Sequence, residues 1–180
     1  MQKSTRQLSN CSELIALFGA FCLFLSTVEF MIPKPLPFFR LGLANIPVIL
    51  SIYLFKPKYT IMLILLKILG QGLINGTLFS YIFIFSAAGS LASGLVMITG
   101  FKIFGKRISL IGISILGALA SNVSQIFFAR MFIFGTGAWL IGPPILVIGL
   151  ISSIVLGFFS EQFFRNSSWI REITGICRND

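Results

Sequence analysis

Glu29, Lys34, Arg40 and Asn45 fall within one stretch, E-F-M-I-P-K-P-L-P-F-F-R-L-G-L-A-N, from Glu29 to Asn45. Lys67, Gln71 and Asn75 recur at i, i+4 and i+8, so a helix places them in one stripe. Asn122 and Gln125 belong to G-I-S-I-L-G-A-L-A-S-N-V-S-Q, in which Ser114, Gly117, Ser121 and Gln125 share a helical face with Asn122 beside them. Ammonium and guanidinium groups attract an anion, and carboxamides orient it through hydrogen bonds. This is equipment for binding. The chain has no His, and its three cysteines (Cys11, Cys22, Cys177) show no metal spacing. The reading therefore assigns no catalytic residue, no metal site and no cofactor.

Each group also has a plainer reading. Pro33, Pro35 and Pro37 fix φ and lack a donor, so the stretch around Lys34 is not helical. It reads as a rigid connector or as a shaped lid that presents charge. The helix-five amides suit a ligand or a neighbouring helix equally. A buried Lys67 needs a partner or water, because an isolated charge at that depth costs several kcal/mol. Glu29 is the acidic residue placed to pair with it.

The elements that must position these groups are apolar. Hydrophobic residues make up 56% of the 180-residue chain, charged residues only 11%, and the mean hydropathy is +0.97. That excludes an ordinary soluble domain and implies a polytopic membrane protein. Apolar runs predict six helices at about Cys11–Met31, Leu41–Phe55, Tyr59–Asn75, Leu78–Phe101, Ile108–Phe134 and Trp139–Phe164. The fold class expected is all-α, a six-helix transmembrane bundle. Residues 1–164 form its one domain, with an outer proline-rich loop at 32–40 and a polar tail at 165–180. The first helix reads as an uncleaved span rather than a signal peptide. The second is short and carries Pro47.

The net charge of +9 would suggest nucleic acid in a soluble protein, but cytoplasmic loops of membrane proteins collect Lys and Arg. With six helices, both termini share a side with Lys56, Lys58, Lys102, Lys106 and Arg107, which places the termini in the cytoplasm. Lys34 and Arg40 then face outward, where topology does not explain them. Together with Lys67 and Arg130 they outnumber Glu29 in the outer half. An outward-facing cavity of that sign suits a small anionic ligand, with Phe38, Phe39 and Tyr81 to cover an apolar part.

The Glu29–Asn45 motif resembles the Gx transporter family, whose members are often labelled heptaprenyl diphosphate synthase component I. Further likenesses are G-Q-G-L-I-N-G-T-L-F-S (Gly70 to Ser80), F-S-A-A-G-S-L-A-S-G-L-V-M (Phe85 to Met97) and the helix-five segment from Gly112 to Gln125. The chain departs from that pattern at Ser121, where the family usually has His, and at Lys67, where it often has Arg. The family is similar to the substrate-binding S-components of energy-coupling-factor (ECF) transporters. The resemblance implies an S-component bundle in the bacterial plasma membrane that binds a vitamin-like or precursor compound outside and topples to deliver it. It also implies partners: an ECF transmembrane coupling subunit and ATPases, contacted through an alanine pair matched here by Ala16 and Ala20. No phosphate-cradling G-x-x-x-x-G-K-[ST] loop occurs in this sequence.

The rival expectation follows the enzyme label. Prenyl diphosphate synthases use aspartate-rich motifs to hold Mg²⁺, yet this chain has one aspartate, Asp180. A non-catalytic accessory subunit of a heptaprenyl diphosphate synthase, or an anchor for a biosynthetic or redox complex, stays open. The expectation adopted is a transport and binding protein, not an enzyme. Its site comprises Glu29, Lys34, Arg40, Asn45, Lys67, Gln71, Asn75, Asn122 and Gln125, its partners are a small molecule, the ECF subunits and the bilayer, and it binds no nucleic acid.

Overall fold

A computed structural model describes residues 2–32 and 42–167, without the side chains of 2–11, 106, 133, 134, 136 and 141. The proline loop with Lys34, Arg40, Phe38 and Phe39, and the tail beyond residue 167, lie outside the described residues. Six α-helices follow one another: α1 (Gln2–Met31), α2 (Ile46–Leu54), α3 (Pro57–Ile74), α4 (Tyr81–Phe104), α5 (Leu110–Ala129) and α6 (Ala138–Asn166). A π-helical turn, Arg130–Phe134, extends α5. No strand occurs among the described residues. The first helix begins well before the expected Cys11, but its apolar part, Ser12–Met31, matches the expected span.

Five of these helices are long and apolar enough to cross a membrane. The exception is α2, which with the 3₁₀ turn before it covers only Leu43–Leu54. Its placement explains why that length suffices. Every residue of α2 except Ile46 and Tyr53 is buried. A helix apolar on all sides belongs inside a fold, and α2 packs into the core with Ile15, Phe18 and Cys22 of α1, Leu63 and Ile64 of α3, Met97 of α4 and Ile113 of α5. Pro47 does not break it, because it occupies the first turn, where a missing N–H removes no intrahelical bond. Pro143 and Pro144 do lie inside α6.

The remaining helices surround α2, and glycines set how closely they approach. Gly19 of α1 meets Leu66 of α3, and Gly70 of α3 meets Leu23 of α1, so these two helices run parallel. Gly72 against Phe83 with Gly94 against Ile64, Gly89 against Gln125 with Gly117 against Met97, and Gly142 against Ile126 with Gly157 against Ile111 make α3/α4, α4/α5 and α5/α6 antiparallel. One end of the bundle thus collects the end of α1, the start of α2 and the α3–α4 and α5–α6 turns. The other collects Lys56, Lys58, Lys102 and Arg107. Around the outside, Leu17, Phe24, Leu69, Phe127, Ile151 and Phe158 are among many large apolar side chains left exposed. Water would not tolerate so continuous an apolar surface; this is a membrane-embedded protein.

The least yielding contact is at Gly157, where an added Cβ would lie 2.7 Å from the Ile111 Cα, a backbone atom that cannot swing aside. Gly157→Ala is expected to push α5 and α6 apart and cost about 1–3 kcal/mol, as overpacked cores do. Gly137→Ala meets nothing within 4 Å and should stay within roughly 0.5 kcal/mol of the parent. Thermal unfolding of both variants in detergent checks this; equal melting temperatures would contradict the packing.

Candidate functional site

The short turn before α2 is held against α1 at two points. The Gly42 N–H donates to Glu29 Oε1 at 3.2 Å, and the Cys22 thiol approaches the Ala44 carbonyl at 3.6 Å. Gly42 has φ +88, a left-handed conformation that a side chain would strain. This bend lets the chain enter α2 directly, and the Asn45 N–H closes the turn on the Gly42 carbonyl at 2.8 Å. Asn45 is thereby aimed at α3, where its Oδ1 accepts a hydrogen bond from Lys67 Nζ.

Lys67 lies seven residues before the end of α3, about 10 Å along the helix axis. It is only 5% exposed, and Glu29 only 1%. Both line one polar cleft with Asn45, Gln71 and Asn122. Ser90 of α4, Ala118 and Ser121 of α5 and Gly149 of α6 complete it, so every helix or its leading turn contributes. The cleft encloses about 460 Å³, including the part open to the exterior, but the centre of a water molecule can occupy only about 30 Å³ of it. That is room for about two or three waters. Pockets for small organic ligands run to roughly 300–1,000 Å³, so such a ligand enters only when the walls part.

Asn122 is 5% exposed, and its Nδ2 has no hydrogen-bond partner among the described residues. The amide is pressed against Gly149: a Cβ built there would fall 1.9 Å from Nδ2. A buried, unsatisfied donor costs about 1–3 kcal/mol, and this one borders a cleft. Its neighbour Ser121 accepts from Gln125 Nε2 at 3.1 Å, while Gln125 Oε1 is buried without a partner among the described residues. A carbonyl or carboxylate oxygen would satisfy Asn122, and Lys67 supplies positive charge close by.

Five of the expected site residues, Glu29, Asn45, Lys67, Gln71 and Asn122, thus share one cleft. Gln125 reaches it only through Ser121. Asn75 caps the end of α3, half-buried, and is not among the cleft-lining residues. Lys34 and Arg40 fall outside the described residues. Arg130 is exposed and lies 5.4 Å from the Trp139 ring, a cation–π contact away from the cleft, and Tyr81 is exposed beside Phe85. Ser90 and Gly149 also line the cleft, and neither is among the expected site residues. Nothing in V-I-G-L-I distinguishes Gly149 from any other helix glycine until Asn122 is seen opposite it.

The site residues above all fall inside a family match. Residues 18–163, from the middle of α1 almost to the end of α6, match the family described as heptaprenyl diphosphate synthase component I. No curated protein and no solved structure matches the chain. With the cleft and most of the bundle inside the matched span, the chain belongs to the heptaprenyl diphosphate synthase component I family.

Proposed function

We propose that this protein is the substrate-binding, S-component-like subunit of an ECF-type uptake transporter. The observation that carries this reading is the cleft: Glu29, Asn45, Lys67, Gln71 and Asn122 gathered inside an otherwise apolar bundle. Ionisable side chains within membrane helices are expensive and mark substrate paths or structural pairs. The unsatisfied amide of Asn122 favours a substrate path, since a purely structural network would close on itself. The ligand is a small vitamin-like or precursor compound with a carboxylate or other anionic oxygen for Asn122 and Lys67. The cleft is lined by one ammonium and one carboxylate, and Lys34 and Arg40 are the cations of the sequence expected to supply the excess of positive charge that selects an anion.

The chain sits in the bacterial plasma membrane with the lysine-bearing end in the cytoplasm, by the positive-inside rule, and the cleft toward the opposite face. Ala16 and Ala20 are both exposed on α1, whereas Gly19 is turned inward onto Leu66. The alanine pair is the surface for a transmembrane coupling subunit, and Gly19 serves internal packing. ATP hydrolysis belongs to other chains.

The family's name suggests a second reading, a non-catalytic accessory subunit of a heptaprenyl diphosphate synthase. With Asp180 as the one aspartate of the sequence, the acidic clamp for Mg²⁺ and diphosphate would have to come from another subunit. Co-purification separates the two readings: an ATPase module supports uptake, and a soluble synthase supports the accessory role.

Native mass spectrometry of the purified protein should detect a retained small molecule. Lys67→Ala and Arg40→Ala should each weaken its binding while the protein still inserts. For Lys67, loss of a charged hydrogen bond of about 1.5–3 kcal/mol corresponds to roughly ten- to a hundredfold. Gly149→Ala, which displaces the Asn122 amide, should weaken binding without removing any polar group. Unchanged retention in all three would remove the cleft from the function.

Ala16→Leu or Ala20→Leu should leave ligand retention intact and abolish co-purification with the coupling subunit. Intact assembly in both variants would refute the assignment of that face.

A further inference from the structure

A larger space lies at the opposite end of the bundle. Next to α3, α4 makes close contact where Gly72 meets Phe83 and again where Gly94 meets Ile64. Beyond that second contact lies a groove with about 380 Å³ open to the centre of a water molecule, more than ten times the room in the polar cleft. Ile52 and Phe55 of α2 and its end form the floor, and Ile98 and Phe101 of α4 form an apolar wall. Lys56 and Lys102 line the same groove, and no carboxylate among the described residues does.

We propose that this groove is a second binding site, for an anionic phospholipid of the surrounding bilayer. The lysines meet the phosphate, and an acyl chain lies along the apolar wall. A phosphate head joined to an apolar tail is the chemistry that uses both features, and basic pockets between membrane helices attract anionic head groups. Topology alone explains why lysines gather at this end, but it does not explain why two of them border an apolar groove. Lys58 makes the distinction testable: it is exposed in the first turn of α3 and does not line the groove. The site is separate from the polar cleft, so its failure would leave the uptake reading standing.

The test is native mass spectrometry of the full chain released from nanodiscs holding equal phosphatidylglycerol and phosphatidylcholine. The parent should retain phosphatidylglycerol in preference by about fivefold or more. Lys56→Gln with Lys102→Gln should reduce that preference to about twofold or less, while Lys58→Gln keeps it. Ile98→Trp, which fills the groove and leaves both lysines, should also lose the retained lipid. Equal loss in Lys58→Gln would mean diffuse surface charge and would overturn the proposal, as would an unchanged preference in the double variant. Release of the lipid by inorganic phosphate alone would overturn the role of the apolar wall.

Discussion

A charged amine inside a lipid-surrounded bundle is the constraint on which the rest of this structure depends. Lys67 is almost wholly withdrawn from bulk solvent, so its surroundings must be polar and must be held in place. The turn that ends in Asn45 does this, and it is itself held by the Glu29 carboxylate on the Gly42 N–H. Three segments far apart in sequence are thereby fastened to one another by polar contacts within a body otherwise packed by apolar side chains. Disturbing any member leaves another buried group unmatched, which costs more than the net gain of the bond itself.

The short, largely buried α2 follows from the same arrangement. A spanning helix there would need about 20 residues and a lipid-facing side. Starting α2 at the depth of Lys67 lets Asn45 sit at its leading edge, and the remaining length is just enough to fill the centre of the bundle. The glycines then allow the outer helices to close around it: Gly19 and Gly70 between α1 and α3, Gly94 between α3 and α4, Gly157 between α5 and α6. Small residues are how membrane helices gain close packing where no hydrophobic effect drives them together. The narrowness of the cleft is a product of that closure, and a ligand would have to reverse part of it. Binding would then be coupled to helix movement, which an uptake subunit needs and a static anchor does not.

The family name refers to a synthase. The polar groups that the cleft brings together among the described residues are one ammonium, one carboxylate, several amides and the hydroxyls of Ser90 and Ser121. Function is argued from the site and not from the label or the fold.

Much of this was legible in the sequence. The apolar runs, the proline stretch and the basic loops determine a six-helix membrane protein, because each helix must satisfy its own backbone in lipid and so announces itself by length and composition. The polar stripe on α3 likewise follows from spacing alone, and Lys67 and Gln71 do share one cleft. Only the tertiary structure decided which polar residues meet. Asn75, on the same stripe, ends at the helix cap, and Gln125 lies behind Ser121. Gly149 enters the site solely because Asn122 packs against it from another helix. Helical periodicity reports which face a residue occupies, while the rotation and depth of one helix against the next depend on side-chain fit across the interface, and no single segment encodes that.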